Sequence, residues 1–282
     1  MASVLIGIVT RNRASILRKA VQSALSQRGC EVRVAVIDDC SSDETSEVAG
    51  EFPAVDWTRW STNLGYMVAR NHWMSSACED YFVNLDDDAW FLEGDEVATA
   101  IKVMEQNPQI AAVAFDILSP DRPNPVRREV PQAAALFIGC GHVLRLAAVQ
   151  NVGFYELFPG RYGAEEKDLA LRLMDAGYQI VRLPGVHVWH DKTSLARVIP
   201  EQHKSGVCND LTMALRRTPA PFLLIALLAK CYRHLAFSRK CGLTIACLKG
   251  FGLFIRSIPA VWRSRRAVKA STLRAFVRLS RA

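Results

Sequence analysis

The stretch Tyr81-Phe82-Val83-Asn84-Leu85-Asp86-Asp87-Asp88 places three consecutive carboxylates directly after an apolar run. The run is aromatic and β-branched, which predicts a short buried strand. Side chains alternate along an extended chain, so Asp86 and Asp88 would point to one side and Asp87 to the other. Two carboxylates held close together raise each other's pKa unless a cation lies between them. A divalent ion such as Mg²⁺ or Mn²⁺ fits this pair, and the alternative is a solvated acidic loop.

Length and composition favour a globular protein with a large core. The chain has 282 residues, and 50% of them are hydrophobic. The N-terminal residues Met1–Ile6 lack a basic segment followed by a long apolar one, so we expect no signal peptide. Eight cysteines occur without a Cys-x-x-Cys pair, which is typical of reduced thiols in a cytosolic protein.

The formal charge of +7 conceals a division of the chain. Residues 211–282 contain fifteen Lys or Arg and no Asp or Glu. The first 210 residues hold the other 20 basic residues and all 28 acidic ones, a formal charge of −8. An acidic body followed by a basic tail suggests that the tail determines where the protein is located.

Strand and helix patterns alternate through the first half of the chain. Strands are predicted at Ser3–Thr10, Glu31–Ile37, Val55–Trp60, Tyr81–Leu85 and Ile110–Phe115, and helices at Ala14–Gln27, Gly65–Ala77 and Asp95–Gln106. This alternation predicts an α/β fold with a mainly parallel sheet flanked by helices. Ligands bind such sheets at the carboxyl ends of the strands, where Thr10-Arg11-Asn12, Asp38-Asp39 and Asp86–Asp88 all lie.

The second half is less regular. Pro120–Pro131 contains four prolines and is predicted to be a loop, and Ala133–Leu144 is predicted to be a strand interrupted by glycines. Ala164–Ala176 has the pattern of an amphipathic helix. Its first turn carries three acidic residues, Glu165, Glu166 and Asp168.

Taken in order, these motifs resemble the family 2 glycosyltransferases of the bacterial surface-glycan type, which are inverting enzymes with the GT-A fold. The matching segments are Val9–Arg13, Leu17–Gln27, Ile37–Thr45, Asn63–Gly65, Ala69–Asn71, Asp86–Asp88, Glu165–Leu169, Leu171–Leu173, Ala176–Tyr178 and Val188–His190. The resemblance implies a GT-A (Rossmann-like) domain over 1–205, with a nucleotide-binding half at 1–117 and an acceptor half at 118–205. Residues 206–282 lie outside it and form the basic, apolar, helical extension.

The resemblance also implies a reaction and its site residues. A hexosyl or deoxyhexosyl group would move from a nucleotide-sugar donor to a hydroxyl of a glycan or lipid-linked acceptor, with Mn²⁺ or Mg²⁺ held by Asp86, Asp88 and His190. The residues implied to bind the nucleotide are Thr10, Arg13, Asp38, Asp39, Asn63, Gly65, Arg70, Asp86 and Asp87. Asp38 is equally suited to ordering its loop, and Asn63-Leu64-Gly65 is a turn sequence in its own right.

An inverting transfer needs a carboxylate that takes the proton of the acceptor hydroxyl. The family pattern favours Glu166 as this base and leaves Glu165 as the rival. Asp168 has a simpler explanation, because an acidic residue in the first turn stabilises the helix dipole. The alternatives to a transferase are an inactive scaffold of the same fold and a nucleotidyltransferase. The latter would need a glycine-rich phosphate loop that Val4–Arg13 lacks.

The tail is predicted to associate with a membrane surface. Phe222–Ala229 is too short to span a bilayer, Cys241–Trp262 contains two charges, and Pro219, Pro221 and Pro259 are expected to interrupt long helices. Basic amphipathic helices lie on anionic membranes, so we expect a peripheral protein on the cytoplasmic face of the cell membrane. Oligomerisation through the tail is the alternative, and no nucleic-acid partner is expected.

Overall fold

A computed structural model describes residues 2–125, 130–195 and 197–281. By its internal contacts the chain divides into a first unit, Met1–Phe154 with Ala176–Ala196, and a second unit, Tyr155–Asp175 with Arg197–Ala282. This division differs from the expected boundary at residue 205. The helix that carries Glu165 and Glu166 groups with the C-terminal helices and not with the sheet.

The first unit is built on one sheet. Its strands are β1 (Ser3–Thr10), β2 (Glu31–Asp38), β3 (Asp56–Arg59), β4 (Tyr81–Asp86), β5 (Ala89–Phe91), β6 (Ile110–Leu118), β7 (Gln132–Ala133), β8 (Gly141–Arg145) and β9 (Gln179–His190). Its helices are α1 (Ala14–Leu25), a 3-10 helix (Glu44–Glu51), α2 (Tyr66–Ser76), α3 (Glu96–Gln106) and α4 (Leu146–Val152). Within the described ranges the strand order is β3-β2-β1-β4-β8-β6-β9-β5, and β7 pairs with β9.

The sheet is parallel where strands and helices alternate. β1 pairs in parallel with β2 and β4, and β2 pairs in parallel with β3, which confirms the prediction for this half. β6 and β9 are also parallel, but β8 runs antiparallel to β4 and β6, and β5 and β7 run antiparallel to β9. Between β6 and β7, the described residues 119–125 and 130–131 contain no helix of the kind that a parallel connection usually needs.

The strand β1 lies in the hydrophobic core of the first unit. Leu5, Ile6 and Ile8 of β1 are fully buried, and Leu17 and Val21 of α1 belong to the same core as Ile6 and Ile8. Each such side chain contributes about 1.5–3 kcal/mol when buried. Gly7 lies between the buried residues, and a Cβ atom there would meet the Trp73 ring at 2.5 Å, so close packing requires glycine at this position.

The second unit is helical. It contains α5 (Glu165–Asp175), α6 (Ile199–Arg217), α7 (Ala220–Lys240), α8 (Thr244–Arg263) and α9 (Ala270–Leu279). Apolar residues of α6 and α8 share one core, in which Val207 and Leu211 join Cys247 and Phe254. Asp175 at the end of α5 accepts hydrogen bonds from the Lys269 backbone N–H (2.8 Å) and the Thr272 hydroxyl (2.7 Å), and so caps the start of α9.

The tail helices are longer than the sequence suggested. Pro219 and Pro221 lie where α6 has ended and α7 begins, so the interruption expected there is confirmed. Pro259 lies inside α8 without ending it, so the interruption expected at that position was wrong. By length and composition both α7 and α8 could cross a membrane. Little of α7 is buried, since only 6% of its most apolar window is covered by protein.

Candidate active site

The polar clusters of β1, β2 and β4 lie side by side at one edge of the sheet. Thr10 is in register with Asp38, and Val9 is in register with Asp86. The three parallel strands therefore present Thr10, Asp38 and Asp86 at their carboxyl ends, where ligands bind in sheets of this kind.

Left-handed backbone conformations occur in the loops at this edge. Asn12 (φ 55°), Cys40 (φ 68°) and Lys192 (φ 52°) follow β1, β2 and β9 respectively. The first two loops are cross-linked, because the Asn12 N–H donates to Ser41 Oγ (2.9 Å) and the Ser42 N–H donates to Asn12 Oδ1 (2.7 Å). Non-glycine residues in this conformation are uncommon and concentrate at functional sites.

Asp86, Asp88 and His190 form a group that could hold a metal ion. One ligand atom from each lies within 4.8 Å of the others, and His190 Nε2 is 3.2 Å from Asp88 Oδ1. The antiparallel pairing of β5 with β9 places His190 opposite Ala89 and so brings it next to Asp88. Two carboxylate oxygens and an imidazole nitrogen suit Mn²⁺. These residues fit the predicted divalent ion.

Arg70 holds Asp86 in place. Its Nη2 donates to Asp86 Oδ1 at 2.8 Å, and Asn84 Nδ2 donates to the same oxygen at 3.3 Å. The guanidinium lies over the ring of Tyr66, 4.6 Å from its centroid, and the residue is buried. α2 therefore supplies both a cation beside Asp86 and the aromatic surface that orients it.

Arg13 contacts the other two carboxylates of the triplet. Its Nη1 is 2.6 Å from Asp87 Oδ1 and 3.6 Å from Asp88 Oδ2, while its Nε and Nη2 donate to the carbonyl of Leu195. Burial raises the pKa of Asp87 to about 6, and the charge of Arg13 opposes this rise. Asp87 thus serves as an ion-pair partner for Arg13 in this structure.

Asp39 is engaged by the turn that precedes α2. Its Oδ1 accepts from the Leu64 N–H (2.7 Å), and its Oδ2 accepts from the Gly65 N–H (2.8 Å) and from Asn63 Nδ2 (2.9 Å). The family resemblance assigns Asp39 to the nucleobase, and no local pattern indicates that this carboxylate also binds the Asn63–Gly65 turn.

Asp38 is fully buried. It accepts from the Ser41 N–H at 2.8 Å and faces Arg59 Nε at 3.5 Å. These contacts connect Asp38 to the loop that follows β2 and to the end of β3.

The first turn of α5 contains carboxylates in different environments. Asp168 is fully buried between Arg217 Nε (2.6 Å) and Arg172 Nε (2.7 Å), so its charge is committed to ion pairs. Glu165 is 2% exposed, whereas Glu166 is half-buried. Of the candidate bases in the second unit, Glu166 is the one that solvent reaches most readily.

Sequence reasoning missed the two arginines at the end of α6. Arg217 pairs with Asp168 and also with Glu156, at 3.0 Å, and Arg216 pairs with Glu156 at 2.5 Å. These partners lie 49 to 61 residues apart in the chain, so no local spacing marks them.

The sequence model of one family, Glycosyl transferase family 2, matches residues 5–154, which is more than half of the chain. The chain belongs to this family. Among curated relatives, the succinoglycan biosynthesis protein ExoO of Rhizobium meliloti is 31% identical over 124 residues, covering 40% of this chain and 33% of ExoO. Glycosyltransferase GlyA of Streptococcus pneumoniae is 30% identical over 104 residues, covering 36% of this chain and 15% of GlyA. The chain thus spans a third or less of the length of these two relatives.

Solved glycosyltransferases share the fold of this family member. TarS 1–349 of S. aureus, in complex with UDP-GlcNAc, has a TM-score of 0.64 and 17% identity, covering 94% of this chain and 82% of TarS 1–349. The mannosyltransferase PcManGT of Pyrobaculum calidifontis, in complex with GDP-Man and Mn²⁺, has a TM-score of 0.61 and 17% identity, covering 99% of this chain and 79% of PcManGT. At this identity the similarity establishes the fold alone, and the GT-A prediction is confirmed.

Proposed function

We propose that this protein is a metal-dependent, inverting glycosyltransferase that uses a nucleoside diphosphate sugar. The observation that carries the proposal is the group formed by Asp86, Asp88 and His190 at the carboxyl edge of the sheet. Two structures of the same fold contain a nucleotide sugar, and one of them also contains Mn²⁺, which supports the choice of ligand.

The residues of the first unit have distinct tasks in this proposal. A divalent ion held by Asp86, Asp88 and His190 would neutralise the charge that develops on the departing diphosphate. Arg70 fixes the carboxylate of Asp86, and Arg13 compensates the charges of Asp87 and Asp88, so that the ligand oxygens are held before the ion arrives. Asp39 shapes the Asn63–Gly65 turn through its hydrogen bonds and acts on the nucleotide through that turn.

We assign the general base to Glu166. Asp168 is unsuitable because two arginines hold its charge, and Glu165 is almost completely buried. Glu166 is more accessible, and the family pattern also points to it. An accessible carboxylate can receive the proton of an acceptor hydroxyl and release it to solvent.

We also propose that α7 and α8 bind the anionic inner surface of the cell membrane. Leu224, Ile225, Leu228 and Tyr232 of α7 are each more than 60% exposed, whereas Lys230 of the same helix is buried. A helix that faces water has the opposite arrangement, with its polar side exposed and its apolar side buried. Residues 211–282 contain no acidic residue, and their basic residues other than Arg216, Arg217 and Lys230, which pair within the second unit, complement anionic lipid.

A glycan or lipid-linked acceptor is consistent with this location. It is also consistent with the name of the relative ExoO, a succinoglycan biosynthesis protein.

Paired Ile225→Asn and Leu228→Asn substitutions should weaken binding to anionic vesicles without unfolding the protein, because both side chains face outward. If the variant instead binds vesicles normally and its oligomeric state changes, the exposed face is a subunit interface.

A panel of nucleotide sugars tests the donor assignment. Each would be incubated with the protein with and without Mn²⁺, and release of the nucleoside diphosphate would be measured together with the shift in melting temperature. We expect one donor to be hydrolysed slowly and to raise the melting temperature only with the metal. If no nucleoside diphosphate or its sugar raises the melting temperature at saturating concentration, the proposed function is wrong.

A further inference from the structure

A polar cluster lies on the protein-facing side of α7. Asp210 of α6 is at its centre, with Oδ1 2.5 Å from Lys230 Nζ and 3.5 Å from Lys167 Nζ, and with Oδ2 3.1 Å from His234 Nε2. One carboxylate therefore faces two ammonium groups and an imidazole. Because a single negative charge balances only one of the two lysines, the cluster keeps an excess positive charge.

This excess charge is held in a largely desolvated place. The Lys230 side chain is 9% exposed. Burial is the main cause that lowers its pKa to about 8; the charge of Asp210 opposes the change, and that of Lys167 adds to it. Lysines are rarely buried without a full complement of partners, because desolvating an ammonium group is costly. An apolar side chain at this position would fill the space between α6 and α7 at less cost. A further anion would satisfy the cluster.

The cluster is open to an incoming ligand. The side chain of Lys167 is 34% exposed, and those of Asp210 and His234 are each 22% exposed. A helix whose apolar face enters a membrane surface sits about 5–10 Å into the boundary between headgroups and acyl chains, so its opposite side lies at the level of the lipid phosphates. The cluster occupies that opposite side of α7.

The position of Lys167 connects this cluster with the proposed chemistry. Lys167 follows Glu166 directly in the first turn of α5, so an anion bound by Lys167 is held beside the helix that carries the proposed base. A phosphate that terminates a lipid would thereby keep the attached acceptor hydroxyl close to α5.

We propose that Lys167, Lys230 and His234, arranged around Asp210, bind the phosphate group of a membrane lipid, and that the sugar acceptor is lipid-linked through such a phosphate. This inference rests on the proposed membrane-bound glycosyltransferase. Phosphate oxygens accept charge-assisted hydrogen bonds from both lysines and from the imidazole, and they take over these donors from Asp210.

Vesicle binding by the full-length protein tests the inference. Phosphatidylcholine vesicles would contain either phosphatidic acid, which exposes a phosphate monoester, or phosphatidylglycerol, at matched surface potential. We expect several-fold tighter binding to phosphatidic acid. Lys167→Gln and Lys230→Gln should abolish this preference and still bind phosphatidylglycerol. The matched control Lys249→Gln removes an equal charge at an exposed position on α8, and it should weaken binding to both vesicles alike.

Asp210→Asn separates a ligand site from a purely structural ion pair. The substitution removes the competing carboxylate with little change in shape, so a ligand site should gain preference for phosphatidic acid. If the cluster only joins α6 to α7, the variant should lose stability and leave lipid preference unchanged, which would overturn the inference.

Two further outcomes would also overturn it. One is equal binding of the unaltered protein to the two kinds of vesicle. The other is displacement from phosphatidic acid by millimolar inorganic phosphate, which would identify a soluble ligand. Neither outcome would affect Mn²⁺-dependent binding of a nucleoside diphosphate, so this inference can fail while the proposed function stands.

Discussion

Asp39→Asn distinguishes a structural carboxylate from one that reads the nucleobase. The native side chain accepts hydrogen bonds from the Leu64 and Gly65 N–H groups and from Asn63, and it is 3% exposed. An amide has one accepting oxygen, so the best rotamer keeps the two bonds to Oδ2 and leaves the Leu64 N–H facing an NH₂ group.

The expected loss follows from these contacts. A buried donor without a partner costs about 1–3 kcal/mol, and each remaining bond loses about 1 kcal/mol when its acceptor is no longer charged. We therefore expect the free energy of unfolding to fall by about 3–5 kcal/mol. With a urea m-value of about 2 kcal/mol/M, the midpoint would shift by about 1.5–2.5 M.

Urea unfolding followed by tryptophan fluorescence measures this shift. Asp121→Asn is the matched control. The Asp121 side chain is 79% exposed and pairs with Lys192 across the surface, so the stability of this variant should change by less than about 0.5 kcal/mol. Unchanged stability in Asp39→Asn together with lost nucleotide binding would show that Asp39 serves the ligand and that the turn does not depend on it.

Two further predictions concern Glu166 and His142. Glu166→Gln should lower turnover by about 10²-fold or more and leave donor binding intact; if Glu165→Gln has this effect instead, the assignment of the base is wrong. Asp168→Asn should instead destabilise the second unit, because it leaves Arg217 and Arg172 without their buried partner. Burial and the charge of Arg70 lower the pKa of His142 to about 3, below its unfolded value near 6.5, so the unfolded chain binds the proton first as the pH falls. The free energy of unfolding should then decrease by about 1.4 kcal/mol per pH unit between pH 6.5 and 3. Urea titrations across this range should show that His142→Asn removes this part of the slope, and an unchanged slope would refute the assignment.

Local patterns in the sequence predicted the parallel half of the sheet well. β1 has the bounds that its apolar run indicated, and α1 and β2 differ from their predicted ends by no more than two residues. The carboxyl ends of parallel strands meet at one edge, so the convergence of Thr10, Asp38 and Asp86 could also be predicted. This part of the fold therefore follows from the rule that strands alternating with helices pair in parallel.

Features that depend on distant partners could not be predicted in this way. The segment Ala133–Leu144 was expected to be one interrupted strand, but it divides between β7, which pairs with β9, and β8, which pairs with β4 and β6. The Asn63 partner of Asp39 is 24 residues away, and the Arg217 partner of Asp168 is 49 residues away. A single sequence carries no local signal for such contacts.

For the tail, the sequence predicts the composition but not the orientation of the helices. Its residues are apolar and basic, and only the structure shows which side of α7 faces outward.

Calorimetric titration of UDP and GDP into the protein, with Mn²⁺ or with EDTA, tests whether Asp86, Asp88 and His190 bind a metal that in turn binds the nucleotide. We expect a nucleoside diphosphate to bind with Mn²⁺ and much more weakly in EDTA. We also expect Asp88→Asn to lose the metal-dependent part of the affinity, and His190→Ala to need more Mn²⁺ to reach the same affinity. Equal binding in Mn²⁺ and EDTA, or unaltered metal dependence in Asp88→Asn, would contradict the assignment of Asp86, Asp88 and His190 as the metal site.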